Sequence, residues 1–405
     1  MKKTYIIDAK RSAIGKFLGS LYESDIADVS SQVIKKGFSQ NLLSDVDMVI
    51  IGQVFSAGTG QALARKIAIS SGLSQLVPAY MVNMVCGSGM QAIRNGKMEI
   101  DNGSDLILCG GVELMSNIPF ATDSYIRLGK KYGDFKMIDL MTHDGLIDSF
   151  SGVHMGITGE NIARKFNISR QMQDAYSYLT QQRAIKAIDA GLFKDEIVPV
   201  DLVDYRNNPY VFDTDEFPNR ESSPEKLASL KTTFIKDGTG TITAGSSSGI
   251  NDGVAFVLLG SEDYCKKNNI IPMTELVDSV IVGCDPQLMG LGPYYAITAL
   301  LDKTGLDFTD INRFEINEAY AAQTLGCFKL LEDQYGVNEE YIIERTNIYG
   351  SGLGLGHPLG ATGARITTTL SHMMAKDKSL EYGISSLCIG GGMGAALLLK
   401  KAETI

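Results

Sequence analysis

At 405 residues the chain is too long for one ordinary hydrophobic core, so two or three domains or one large duplicated unit are expected. Its 44% hydrophobic and 21% charged residues, with 43 glycines, are typical of a folded soluble protein with many tight turns and argue against disorder. The net charge of -10 argues against binding to nucleic acid or to an anionic membrane surface, because both favour a basic face.

The cysteines and histidines limit the chemistry that the chain can carry. Six cysteines are scattered without CxxC spacing, so neither a zinc site nor a disulfide framework is predicted and reduced thiols are expected. Four histidines are present, which leaves a reactive cysteine few bases to use. The first residues lead into a strand pattern without an apolar leader, which predicts a cytoplasmic protein.

The first part of the chain alternates apolar strands with helical spacing, which predicts an α/β fold. The strands predicted there are Tyr5–Ile7, Met48–Gly52, Tyr80–Val85 and Asp105–Cys109. The middle of the chain, roughly residues 117–249, is more charged and polar, and predicts a separate loop domain folded over the main body. Two helices are predicted in it, over Thr158–Phe166 and Arg170–Ala190.

A second series of elements begins at about Pro272 and repeats the first. The strands predicted in it are Thr274–Gly283, Arg313–Ile316, Thr346–Tyr349, Ser385–Ile389 and Ala395–Leu399. The segment Leu-Ile-Leu-Cys-Gly-Gly-Val, which begins at Leu106, resembles Leu-Cys-Ile-Gly-Gly-Gly-Met, which begins at Leu387. Matching glycines at strand ends in both parts of the chain indicate an internal duplication.

Cys86 stands where an apolar run meets small residues and a helical pattern, in the segment Val-Asn-Met-Val-Cys-Gly-Ser-Gly-Met. A thiol at such a strand-to-helix turn faces the positive end of the helix dipole, which would favour the thiolate and make Cys86 a candidate nucleophile. The alternative is a structural role, because free cysteines are usually buried. This segment alone leaves both interpretations open.

His357 lies in the densest motif of the chain, a loop in which six glycines stand between positions 350 and 363. The alternative of a phosphate cradle is disfavoured, because the spacing is neither GxxxxGK[ST] nor a clean strand–GxGxxG–helix opening. Asn317 and Cys388 each follow or end an apolar strand. Because sites in open α/β sheets form at the carboxyl ends of strands, these residues and Cys86 are candidates for one site.

With these residues in place, the chain resembles the thiolases, a family of acyl-CoA acyltransferases. The motifs that carry the resemblance are Val82–Met90, His154–Gly156, Thr243–Gly253, Asp285–Pro293, Glu315–Gln323, Gly356–Arg365 and Cys388–Gly394. The resemblance implies a duplicated α/β thiolase fold, with two similar βαβαβαββ halves in a five-layer α-β-α-β-α sandwich. The halves would cover residues 1–268 and 269–405, with the loop domain inserted in the first half at about 119–249.

The resemblance also implies the roles of the candidate catalytic residues. Cys86 would be the acyl-accepting nucleophile, His357 would activate it, and Cys388 would be the second acid or base. Asn317 would hold a water that supports an enolate oxygen together with His357, and the backbone amides of Cys86 and Gly390 would support the tetrahedral acyl intermediate. An acyl-cysteine intermediate is chemically reasonable, because a thioester exchanges readily with a thiolate.

Contacts to the acyl-CoA substrate are likewise implied by the resemblance. Those in the loop domain and its return are Leu146, His154, Met155, Phe234, Ala244 and Ser248, and those nearer to the acyl group are Met289, Ala319 and Tyr320. Arg220 aligns with an arginine that faces the adenine nucleotide in the family, but only after a one-residue gap. Three positions depart from the family pattern, namely Ser246, Ser351 and Tyr320. Tyr320 replaces a common phenylalanine and leaves the chain-length preference open.

The activity implied by the resemblance is the reversible condensation of two acetyl-CoA molecules to acetoacetyl-CoA and coenzyme A. A broader 3-ketoacyl-CoA thiolase is the alternative. A decarboxylating ketosynthase is disfavoured, because Cys388 stands where that class has histidine or asparagine. A catalytically inactive acyl-CoA binder would be expected to lack a catalytic side chain, and none is missing. A homodimer or homotetramer is expected, with acyl-CoA thioesters as substrates and no metal ion or organic cofactor.

Overall fold

The computed structural model of the protein describes residues 2–204 and 206–403. Its strands are β1 (Thr4–Arg11), β2 (Gly15–Lys16), β3 (Met48–Gly52), β4 (Ala79–Val82), β5 (Leu106–Leu114), β6 (Phe120–Thr122), β7 (Met137–Asp139), β8 (Val200–Val203), β9 (Pro209–Phe212), β10 (Asn251–Ser261), β11 (Thr274–Gly283), β12 (Ile311–Ile316), β13 (Tyr382–Ile389) and β14 (Met393–Lys401). Its α-helices are α1 (Ile26–Gly37), α2 (Gln40–Ser44), α3 (Leu63–Ser70), α4 (Ser88–Asp101), α5 (Gly156–Lys165), α6 (Arg170–Asp189), α7 (Pro224–Ser229), α8 (Glu262–Lys267), α9 (Gly292–Thr304), α10 (Ala321–Tyr335), α11 (Glu339–Arg345), α12 (Gly352–Leu355) and α13 (Leu359–Lys376).

The main sheet repeats one strand pattern twice, which confirms the predicted duplication. Its order is β12-β13-β14-β11-β1-β10-β5-β3-β4. In the first half β3 pairs in parallel with β5, followed by antiparallel β10 and β1. In the second half β12 pairs in parallel with β13, followed by antiparallel β14 and β11. The two halves meet where β1 pairs with the start of β11.

Alternating side chains of the strands divide the core into three hydrophobic layers. On β10, Phe256 faces a cluster that includes α1 and α3, whereas Val257 faces a cluster that includes α4 and α13. On β14, Leu397 faces the same α4 and α13 cluster, and Leu398 faces a third cluster with α9 and α10. The layers are therefore helices, the first half of the sheet, helices, the second half of the sheet, and helices. This is the order expected for the five-layer sandwich.

Close helix packing in the central layer brings the starts of α4 and α13 together. A Cβ added to Gly111 would lie 2.1 Å from the carbonyl oxygen of Gly360, and one added to Gly89 would lie 2.8 Å from the same oxygen. Only glycine allows this approach. Cys86 precedes α4 and His357 precedes α13. The packing of these two helix ends therefore sets the position of Cys86 relative to His357.

The segment between β5 and β10, where the loop domain was predicted, contains the hairpins β6-β7 and β8-β9 and the helices α5 to α7. The predicted helix over Arg170–Ala190 is observed as Arg170–Asp189. The proposed division of the chain at residue 268 falls between α8 and β11 and stays a prediction. Within residues 2–204 and 206–403, no helix is long and apolar enough to cross a membrane.

The strand predictions differ from the structure at three places in the chain. The central strand β10 was missed, since both of its faces are buried and its apolar run does not alternate. The predicted strand Thr346–Tyr349 is reduced to a single bridge between Thr346 and Phe314, because Asn347 has a φ of 51° and turns the chain. The predicted strand Tyr80–Val85 ends early, at Val82.

Candidate active site

A strained turn presents Cys86 between β4 and α4. Val85 has a φ of 47°, a left-handed conformation that is unusual for a β-branched residue. The backbone N–H of Val85 donates to Asn83 Oδ1 at 3.0 Å, and Ser88 Oγ donates to the Val85 carbonyl at 2.7 Å. The side chains of Asn83 and Ser88 therefore hold the nucleophile turn in one conformation.

The Cys86 thiol is half-buried, and the backbone N–H groups of Gly390 and of Cys86 itself favour a negative charge on its sulfur. Burial raises the pKa of the thiol to about 11 and outweighs the effect of these two N–H groups, which lower it. The expectation that the helix dipole makes Cys86 a ready thiolate was therefore wrong for the free protein. The neutral thiol predominates until a base removes its proton.

We expect iodoacetamide to alkylate Cys86 slowly at neutral pH and about tenfold faster for each unit of pH up to about pH 10. The direction follows because the thiolate fraction rises tenfold per pH unit below a raised pKa. Peptide mass spectrometry measures the rate at Cys86, and half-buried Cys284, whose pKa burial also raises to about 11, is the internal comparison. A rate at Cys86 that already reaches a plateau at about pH 7 would contradict this prediction.

His357 is oriented by hydrogen bonds that its backbone N–H and its ring make with Asn251 and Thr362. Its backbone N–H donates to Asn251 Oδ1 at 3.0 Å, and its Nδ1 lies 2.6 Å from Thr362 Oγ1. The Thr362 hydroxyl donates its hydrogen to the Pro358 carbonyl at 2.9 Å, so the Thr362 oxygen accepts from Nδ1–H. This network assigns the tautomer in which Nε2 carries the lone pair, as a base requires.

Electrostatics keep the His357 ring neutral. Burial, with a smaller effect of the Arg365 guanidinium, lowers the pKa of His357 to about 3. At neutral pH the ring can therefore accept a proton at Nε2. A neutral thiol and a neutral imidazole are the resting pair.

Replacing Thr362 with valine is expected to lower kcat by about tenfold to about a hundredfold. Valine removes the acceptor for Nδ1–H and leaves that donor unpaired in a buried site, which disfavours the tautomer with a free Nε2. Thr368→Val is the matched control, because Thr368 is also buried on α13 and its hydroxyl has no partner among the described residues. Steady-state kinetics that show equal kcat values for the two variants would contradict the assigned tautomer.

Asn317 lies beside His357 at the carboxyl end of β12. Asn317 Nδ2 is 3.3 Å from His357 Nε2, and Asn317 Oδ1 is buried without a hydrogen-bond partner in the described part of the chain. Gly352 permits this packing, because a Cβ there would lie 2.7 Å from that oxygen. A buried unpaired acceptor next to a base favours a water molecule or a polar group of a substrate.

Cys388 lies at the end of β13, opposite Gly394 on β14, and its side chain is buried. Burial raises the pKa of its thiol well above the ordinary value, and the neighbouring Cys86 thiol raises it further. A thiolate on Cys86 would therefore disfavour a thiolate on Cys388. Cys388 does not line the cavity that Cys86 lines.

A cavity of about 230 Å³ is lined by residues from both halves of the fold and from the loop domain. Cys86, His357 and Gly390 all line it. The predicted substrate contacts that also line it are Leu146, His154, Met155, Phe234, Ser248, Met289, Ala319 and Tyr320. Ala244 and Arg220 do not line it, and exposed Arg220 pairs with Asp189 at 2.6 Å. Roles for Ala244 and Arg220 in binding stay predictions.

The loop domain contributes a wall of stacked rings. The His154 ring stacks on Phe234 with centroids 4.7 Å apart, and Phe234 meets the Tyr320 ring edge-on at 5.9 Å. The backbone N–H of Gly156 donates to His154 Nδ1, and burial lowers the pKa of His154. His154 is therefore a neutral ring that shapes the cavity.

Several residues of the site were missed by reasoning from sequence. The additional cavity-lining residues are Val85, Met115, Gly145, Thr233, Ser247, Gly249, Ile250 and Leu359. Asn251 and Thr362, which orient His357, lie inside recognised motifs but gave no separate signal. In the ranges 2–204 and 206–403, no group of three or more histidine, cysteine, aspartate or glutamate residues is arranged to hold a metal ion.

Comparisons with known proteins identify relatives of this sequence and fold. The family model described as thiolase, N-terminal domain matches residues 4–263, and that described as thiolase, C-terminal domain matches residues 270–401. A probable acetyl-CoA acetyltransferase of Escherichia coli (strain K12) is 42% identical, with 100% of both chains covered. An acetyl-CoA acetyltransferase of Pseudomonas aeruginosa is 40% identical, over 99% of this chain and 100% of that one.

Solved structures give the same result at the level of the fold. The crystal structure of the Bacillus anthracis acetyl-CoA acetyltransferase matches with a TM-score of 0.92 and 37% identity, covering 99% of both chains. Human mitochondrial 3-ketoacyl-CoA thiolase matches with a TM-score of 0.91 and 36% identity, again over 99% of both chains.

Proposed function

Because the chain belongs to the thiolase family, we propose that it is an acetyl-CoA C-acetyltransferase, which reversibly condenses two acetyl-CoA molecules to acetoacetyl-CoA and coenzyme A. One observation carries the proposal most directly. Cys86 and Gly390 line the same cavity as the neutral imidazole of His357. A thiol, a base and amide donors around one cavity are the groups that acyl transfer requires.

In the first half-reaction, His357 Nε2 takes the proton of Cys86, and the sulfur attacks the carbonyl carbon of acetyl-CoA. The oxyanion is stabilised by the backbone N–H groups of Cys86 and Gly390, which already converge on the sulfur. The bond from the carbonyl carbon to the coenzyme A sulfur then breaks. Cys388 gives its proton to that sulfur, which leaves acetyl-Cys86 and free coenzyme A.

In the second half-reaction, the Cys388 thiolate removes a methyl proton from a second acetyl-CoA. The enolate oxygen faces His357 and a water bound to Asn317, whose Oδ1 has no protein partner in the described part of the chain. The enolate carbon attacks acetyl-Cys86, so a carbon–carbon bond forms and the carbon–sulfur bond to Cys86 breaks. The proton held by His357 returns to Cys86, which balances the cycle.

We also propose where the acyl-CoA lies. The thioester end would enter between His154 and Phe234, with the acyl group between Cys86, Tyr320 and Met289. These cavity walls are mostly apolar, which suits an acyl chain and the uncharged arm next to it. The chemistry uses thiols, an imidazole and amides, so it calls for no metal ion or organic cofactor.

The test of this function is a thiolysis assay with a series of 3-ketoacyl-CoA substrates of increasing chain length. The highest kcat/KM is expected for acetoacetyl-CoA, because the bulky side chains of Tyr320 and Met289 line the cavity where the acyl group would lie. Condensation of acetyl-CoA, measured by trapping acetoacetyl-CoA, is expected in the same preparation. A kcat/KM that rises with chain length would instead favour the broader 3-ketoacyl-CoA thiolase, and no turnover of any member would overturn the acyltransferase proposal.

We propose that the protein acts in the cytoplasm as a homodimer or homotetramer. The hairpin β6-β7 and its connection support association, because they expose large apolar side chains to solvent. Examples are Phe120 at 60%, Leu128 at 80% and Tyr132 at 97% exposure. Light scattering measures the mass in solution, and a monomer at micromolar concentration would contradict the proposal.

A further inference from the structure

The buried carboxylate of Glu113 accepts hydrogen bonds from two backbone segments, one that supports the Cys86 turn and one that follows His357. Glu113, near the end of β5, is 1% exposed and has no salt-bridge partner among the described residues. Its Oε2 accepts the backbone N–H groups of Val54 at 2.9 Å and Gly360 at 3.0 Å, and its Oε1 accepts that of Phe55 at 3.3 Å. Each of its oxygens is therefore occupied by amides from segments that are distant in sequence.

One of these segments supports the nucleophile turn. The Val54 carbonyl accepts a hydrogen bond from Asn83 Nδ2 at 3.0 Å, and Asn83 Oδ1 in turn accepts the N–H of Val85. Val85 is the strained residue that precedes Cys86. Glu113 thus fixes the segment on which the Asn83 side chain rests, and so the backbone that presents Cys86.

The other segment carries the base. Gly360 lies in the first turn of α13, whose free N–H groups favour a negative charge. Glycine is required there, because a Cβ would lie 2.7 Å from Glu113 Oε2. His357 stands three residues earlier and is fixed to the same turn through Thr362. The distance between Glu113 and Gly360 therefore controls where the imidazole lies relative to the Cys86 turn.

We propose that Glu113 is a positioning residue for acyl transfer, which holds the Cys86 turn and the His357 loop in register through three backbone amides. This inference rests on the proposed function and adds a residue that contacts neither substrate nor reacting atoms. A carboxylate is suited to the task, because both of its oxygens accept hydrogen bonds. A glutamine of the same shape would direct an NH₂ group at one of the amides.

The charge of Glu113 supplies a readout that a merely structural residue would not give. Burial raises the pKa of Glu113 to about 7, with a smaller contribution from the Asp252 carboxylate on β10, while the three amides lower it. Cys86 is the other titratable group that interacts with it, and is neutral near pH 7 because burial raises its pKa. Below about pH 7 the protonated acid loses an acceptor site, so the rate should fall as the pH decreases.

The experiment compares Glu113→Gln with the wild type and with Asp252→Asn. Asp252 is also buried, accepts the N–H of Ser116 and pairs with the strand of Glu113, but bonds to neither catalytic segment. Rapid-mixing mass spectrometry measures acetylation of Cys86 by acetyl-CoA from about pH 6 to about pH 9, and steady-state assays give kcat and KM. Circular dichroism and thermal melting establish that each variant is folded.

For Glu113→Gln we expect kcat and the acetylation rate to fall about tenfold to about a hundredfold, with KM changed less than about threefold. The decrease in rate below about pH 7 should disappear in this variant and persist in Asp252→Asn. Equal rates and equal pH profiles in the wild type and Glu113→Gln would overturn the inference. If Glu113→Gln does not fold, the wild-type profile decides, since a rate independent of pH around 7 would also overturn it. Absence of acetyl-Cys86 in the wild type would instead overturn the proposed function.

Discussion

Alanine at position 86 is expected to reduce acetoacetyl-CoA thiolysis by at least about 10⁴-fold, because it removes the atom that carries the acyl group. Without the sulfur, no acyl-enzyme can form, and the amides of Gly390 and residue 86 have no tetrahedral intermediate to stabilise. The effect on folding should be small, since Cys86 is half-buried and the turn is held by Asn83 and Ser88 rather than by the thiol. The loss should therefore appear in kcat and not in the melting temperature.

Intact-protein mass spectrometry after exposure to acetyl-CoA gives the direct measurement. One acetyl group is expected on the wild type and on Cys284→Ala, and none on Cys86→Ala. Cys284 is a suitable control because it is also half-buried, directly follows β11 and lies outside the cavity lining. Retention of the acetyl group in Cys86→Ala would place the nucleophile elsewhere in the chain.

Cys388→Ala is expected to lower condensation and thiolysis by about 10²-fold to about 10⁴-fold, the usual contribution of a positioned acid or base. Acetylation of Cys86 should continue, because the coenzyme A thiolate is a good leaving group without an enzymatic acid. The two half-reactions should therefore separate, with an acetyl-enzyme that accumulates and does not turn over. Exchange of the acetyl-CoA methyl protons with deuterated water should be lost in parallel.

The control for Cys388→Ala must measure the loss of stability that follows from removing any buried thiol. Cys327→Ala provides it, because Cys327 is also buried and belongs to the same hydrophobic cluster on the outer side of the second half-sheet. Both variants should lose similar stability, about 1 kcal/mol for a small buried side chain. Full condensation activity in Cys388→Ala, or an equal loss in Cys327→Ala, would exclude the two-cysteine mechanism.

Some features of the fold were predictable because their signals are local. The helix that begins at Arg170 and the strand Thr274–Gly283 follow from apolar spacing and turn residues. The duplication was visible in the matching glycine-containing segments that begin at Leu106 and Leu387, and the sheet repeats the same strand order in each half. The strand Asn251–Ser261 was missed because a strand buried on both faces has no alternating pattern.

The candidate site was predictable as a set of residues but not as a set of chemical states. Cys86 and His357 stand in distinctive motifs, and both line one cavity. The helix dipole suggested a thiolate at Cys86, whereas burial raises the pKa of its thiol to about 11. Desolvation depends on what packs around the sulfur, and most of those residues are distant in sequence.

By itself, the sequence determined the family resemblance, the duplicated α/β plan and the identity of the thiols, the imidazole and the amide that are candidates for catalysis. The tertiary structure decided the protonation states, the tautomer of His357 and the network that holds the site. Asn251 binds the backbone of His357 across 106 positions, and Glu113 binds Gly360 across 247. Hydrogen bonds and burial act through space, so the reactivity of Cys86 depends on partners that no local motif contains.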